Sequence, residues 1–152
     1  MRHLILLAAI AMPGLALAQY DQPTIQKIQE EINLNQARAD QLNPIIARDT
    51  QARNDTAADA GQLDNAARAM HGRANEFRNF ANHMPPGPQQ GNLLQTAGDL
   101  DTYAVHNEQL AASQRDISNR LNNLLALMVE GRNQHLAAAN RLRALIANTG
   151  GF

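Results

Sequence analysis

Histidines and closely spaced acids are the residues of this chain best suited to hold a metal or move a proton. The histidines are His3, His71, His83, His106 and His135. A helical zinc site needs two ligands on one helix face, four residues apart, and no two histidines have that spacing. An antiparallel pairing of the chain would bring His71 and His106 to one height, but on opposite flanks, so they should not share an ion. His135 falls on an apolar stripe. Its ordinary reading is a partly buried core histidine; the sharper one is a pH switch, with protonation placing charge against Leu42. Glu30-Glu31 and Asp99-x-Asp101 project to different sides of a helix and make no paired-carboxylate site. Ser113 and Ser118 lack the glycine elbow and histidine partner of a hydrolase. No enzyme, no cofactor and no metal is expected from these residues.

The elements that carry them are helical. Apolar residues are 44% of the chain and aromatic residues 3%, and most of the apolar content is alanine and leucine. Such side chains suit thin helix–helix layers rather than strands. Ile25, Ile28 and Ile32 open a three-four spacing that runs unbroken to Phe77, Ala81 and Met84. Met84-Pro85-Pro86-Gly87-Pro88 ends it, because prolines in series cannot continue a helix. A second frame is read through Leu93, Thr96, Leu100, Tyr103, Asn107, Leu110, Gln114, Ile117, Leu121, Leu124 and Met128, closing at Gly150-Gly151. Asp21-Gln22-Pro23-Thr24 reads as the start of the first helix.

The fold class that follows is all-α: a long antiparallel helical hairpin, coiled-coil-like, turning at residues 85–92. Its register sets Met84 against Leu93, Phe77 against Leu100, Ala74 against Tyr103, Ala67 against Leu110 and Ala60 against Ile117, small residues opposing large ones. Arg68, Arg73 and Arg78 should approach Asp99, Asp101 and Glu108. Asn107 and Gln114, on the stripe, would fix register as buried amides. One stretch resists: Asp49, Arg53 and Thr56 would face the apolar Leu121–Val129. Pro44 lies just upstream and Thr56-Ala-Ala-Asp59 reads as a capping box. The alternative is therefore a three-helix bundle with a break near 44–56.

Residues 1–18 read as an address. Met1-Arg2-His3 is a basic start, Leu4 to Met12 an apolar run too short to span a bilayer, and Ala16-Leu17-Ala18 a small-x-small cleavage pattern. Cleavage is expected after Ala18, leaving residues 19–152 as a single helical domain, exported to the periplasm or outside the cell. No membrane span is expected in that mature chain. Cysteine is absent, so no disulfide staples the fold.

Formal net charge is −1, which gives no reason to expect nucleic acid as a partner. Asn and Gln make up about a fifth of the chain, and Lys27 is its one lysine. A polar, lightly charged surface of this kind suits coiled-coil flanks. Leu121, Leu124, Leu125, Leu127, Met128 and Val129 cover more than one helix face, so two helices cannot bury them all. They are the expected partner contacts, with self-association into a four-helix bundle the simplest outcome. The leading expectation is an exported non-enzymatic interaction or assembly protein, a subunit of an envelope, surface or pilus-type structure. A leader followed by Gln/Asn-rich helices resembles, in general pattern and with no specific motif, small pilus-associated subunits of conjugation and secretion machines. The alternative is a periplasmic holdase-type chaperone presenting an apolar helical groove.

Overall fold

In a computed structural model, residues 21–148 are described, and every element among them is helical. Helix α1 spans Gln22–Asn82 and helix α2 spans Pro88–Asn148. The leader at 1–18 and the Gly150-Gly151 stop lie outside the described residues. Asp21 caps α1: its Oδ1 accepts from the Thr24 amide at 3.1 Å, and its carbonyl accepts from Ile25. The Thr24 bonds hold the Asp21 carboxyl below its usual pKa.

The turn is shorter than the 85–92 read from the sequence. It occupies residues 83–87, because a proline is tolerated at the first helical position and Pro88 opens α2 directly. The Gly91 amide donates to the Gly87 carbonyl at 3.1 Å. Gln90 Nε2 reaches back to the Ala81 carbonyl at 3.1 Å, satisfying one of the last acceptors of α1.

The break near 44–56 is absent. Helix α1 runs straight through Pro44, which is exposed. A helical proline removes one amide donor, here the partner of the Asp40 carbonyl, and Asp40 is exposed as well. Water can take that place. Thr56 is no cap: its Oγ1 donates back to the Ala52 carbonyl at 2.7 Å within the helix. The three-helix alternative is thereby excluded.

The described residues divide into two compact units, residues 21–41 with 131–148 and residues 42–130. In the first, Ile28, Ile32, Ala139 and Leu142 form a buried aliphatic cluster, with Leu145 and Ile146 packed against it. His135 Nδ1 lies 3.0 Å from Asn35 Oδ1, so its partner is an amide rather than Leu42. In the second unit the two helices turn back on each other, and the core is mostly alanine. Ala60, Ala67, Ala74 and Ala81 on α1 are almost wholly buried, as are Ala97, Ala104 and Ala111 on α2. Helices lined by methyl groups can approach closely, toward the low end of ordinary interaxial distances.

Those alanines correct the second frame. On α1 every expected stripe position is at least half-buried. On α2 the rows at 93, 100, 107, 114, 121 and 128 are correct, but the alternate row is displaced by one residue. Ala97, Ala104, Ala111, Ser118 and Leu125 point inward, not Thr96, Tyr103, Leu110, Ile117 and Leu124. Ala74 therefore does not face Tyr103, Ala67 does not face Leu110, and Ala60 does not face Ile117. Across the helices Asn107 meets Met70, the residue level with it in the register read from the sequence; what is displaced is the α2 row that faces inward.

Candidate interaction surface

Two helices in antiparallel contact have two flanks, each lined by one row from either helix. In the 42–130 unit the rows carrying Asp64, His71 and Arg78 on α1 and Asp101, Glu108 and Arg115 on α2 form one of them. Arg115 pairs with Asp64, and Arg78 pairs with Asp101. His71 Nδ1 lies 2.8 Å from Asp101 Oδ1, and its Nε2 lies 3.4 Å from Glu108 Oε1. Both ring nitrogens thus face carboxylates, and only the imidazolium donates from both. The hydrogen bond to Asp101 and the nearby acid charges raise the His71 pKa. The Arg78 bond first, then His71, lower that of Asp101. Of the expected arginine pairings, Arg78 makes its own, whereas Arg68 turns to Asp64 and Asn65 on its own helix.

The polar layers between the flanks are satisfied. Arg53, expected to strand a charge against leucine, sends Nη1 to Asn122 Oδ1 at 3.1 Å and Nη2 to Asn54 Oδ1 at 2.8 Å. Its stem fills the layer while its head leaves it. Ser118 Oγ donates to the Arg53 carbonyl, and Asn107 Nδ2 lies 3.6 Å from Met70 Sδ. Among the described residues no buried side-chain polar atom lacks a partner.

The opposite flank is different in kind. Its α2 row is Tyr103, Leu110, Ile117 and Leu124, one residue per heptad, all exposed; Tyr103 is 63% exposed and Leu124 47%. Its α1 row is Ala52, Asp59, Ala66, Arg73 and Phe80, with Phe80 63% exposed. Large apolar groups in a continuous α2 row at this spacing have the pattern of a helix seam without its partner.

The six residues expected as partner contacts are dispersed. Leu125 is buried in the hairpin core, and Leu121, Met128 and Val129 are half-buried. Leu124 and Leu127 stay exposed, Leu127 at 66%. The sequence pattern sets Tyr103, Leu110 and Ile117 inward, whereas the structure sets them on this flank. The signal that could have found it is the alanine row 97, 104, 111, which has the same period and claims the interior.

Among the described residues no group of three His, Asp or Glu is placed to hold a metal ion, and no helix is long and apolar enough to cross a membrane. No protein-family model matches the chain, and neither curated proteins nor solved structures give a match.

Proposed function

We propose that this protein is an exported, non-enzymatic interaction protein that works by offering the apolar flank of its helical hairpin to another protein in an assembly. The observation that supports this reading is the row Tyr103, Leu110, Ile117 and Leu124. Four large side chains recur at one heptad position, all solvent-facing, opposite a flank already closed by ion pairs. Burying such side chains is worth about 1.5–3 kcal/mol each, enough to hold a helical partner with modest polar help. Export rests on the leader-like residues 1–18, with Gln19 as the new N-terminus, and N-terminal sequencing of cell-derived protein checks it.

The flank is tested by replacing Leu110 and Ile117 together with Glu. Both side chains are solvent-facing, so the helical circular-dichroism signal and melting temperature of the isolated chain should change little. Crosslinks formed in the native cell should be lost. Crosslinks that persist unchanged in L110E/I117E would reject the reading.

A further inference from the structure

We infer that the occupant of this flank is a second copy of the same chain, laid antiparallel so that Arg73 of each copy meets Asp59 of the other. The inference rests on the reading above and names its partner. Asp59 and Arg73 are charges set into an otherwise apolar flank. Among the described residues neither has a hydrogen-bond or ion-pair partner within the chain, although Asp64, Arg78 and Arg115 on the other flank are all paired. They are fourteen residues apart on one row, with Ala66 midway between them. A two-fold axis near Ala66, running across the flank, brings each row onto its own copy in reverse.

The consequences along both rows agree. On α1 the axis sets Arg73 opposite Asp59 of the other copy, twice, and Phe80 opposite Ala52. Each charge finds its opposite, and the largest side chain of the row meets one of the smallest. On α2 it sets Leu110 near its own symmetry mate and Tyr103 opposite Ile117. A partner with an unrelated sequence would have to supply an acid and a base at that separation; this chain already does. Isologous pairing of this kind is the commonest way for identical chains to associate. The area is adequate too. The flank from Ala52 to Phe80 is about 40 Å long at 1.5 Å per residue and about 20 Å across two helices. That approaches the roughly 800 Å² per partner of a standard stable interface.

Cysteine-free protein makes the test direct. Purified protein should sediment as a dimer at micromolar concentration. Leu110→Cys should be joined to its mate by a short bifunctional thiol reagent, and Ala57→Cys, on the charged flank, should not. Arg73→Glu should weaken dimerisation about tenfold, since it replaces two attractions by two repulsions. Adding Asp59→Arg to it should restore the dimer, which mere misfolding would not allow. A monomer at all accessible concentrations, a dimer crosslinked through Ala57→Cys instead, or a double variant no better than Arg73→Glu each overturns the inference. If the purified protein is monomeric while Leu110→Cys in cells is joined to a different protein, the second copy is rejected and the proposed function stands. If Leu110→Cys is joined to nothing in either setting, both fall.

Discussion

His71 shows how a single side chain in a helical hairpin can acquire pH dependence without any buried charge. Its two ring nitrogens face Asp101 and Glu108, and its pKa is raised above the ordinary 6.5. A raised pKa contributes stability that is complete below the unfolded value and disappears as pH rises through the folded one. The Asp101 pKa is lowered below 3.8, so its contribution is complete above that value and disappears as pH falls through the folded one. The cluster is therefore strongest between about pH 4 and pH 6.5. His71→Gln should flatten the fall in the urea midpoint between about pH 6 and pH 8 while leaving the acid limb in place, as read by helical circular dichroism. An unchanged slope across neutrality in the variant would show that His71 is not its source. This much was not legible in the sequence. There, His71 was a histidine at the height of His106; the acids it meets depend on which row of α2 faces inward, and only the alanine row determines that.

At the scale of the helix, legibility depended on which size of side chain marked the interior. The α1 frame was readable because Ile28, Ile32, Ala39, Leu63, Met70 and Phe77 keep one spacing with no competing row. On α2 two rows compete, Ala97-Ala104-Ala111 and Tyr103-Leu110-Ile117, and hydrophobic pattern alone favours the larger side chains as the inward row. Apolar residues belong inside only as a tendency, and exposed ones are common. Here the methyl row Ala97-Ala104-Ala111 is the buried one, and the larger side chains are left outside. Pro44 misled for a related reason: a proline costs about 3 kcal/mol inside a helix, yet a helix paired along its length can bear it where the lost bond faces water. Glycines in the same helices carry a smaller, recoverable cost. A methyl group built on Gly61 or on Gly98 meets nothing within 4 Å. Gly61→Ala and Gly98→Ala should each stabilise the protein by about 1 kcal/mol, raising the melting temperature by a few degrees without altering the fold. Destabilisation by either would mean that the backbone there is not the regular, uncrowded helix described.

For the whole chain, order of assembly follows from connectivity. Residues near the five-residue turn, such as Ala81 and Gln90, meet after closing a short loop. Ile32 and Leu142, in the aliphatic cluster of the other unit, are separated by about 110 residues, and closing a loop costs entropy that grows with the logarithm of its length. Contacts beside the turn should therefore form first, and the aliphatic cluster should form once the intervening chain has been shortened by its own pairing. Leu100→Ala and Ile32→Val separate the two cases. Leu100 is half-buried beside the turn, and Ile32 is 1% exposed inside the cluster, so truncating either should cost stability, by about 0.5–1.5 kcal/mol for Ile32→Val. If closure begins at the turn, Leu100→Ala lowers the folding rate, whereas Ile32→Val leaves it nearly unchanged and raises the unfolding rate. Stopped-flow chevrons at low protein concentration, where a second copy does not contribute, read both rates. The reverse assignment, with Ile32→Val slowing folding, would place the nucleus in the large aliphatic side chains of the termini and make the alanine-lined turn unit a late consequence of it.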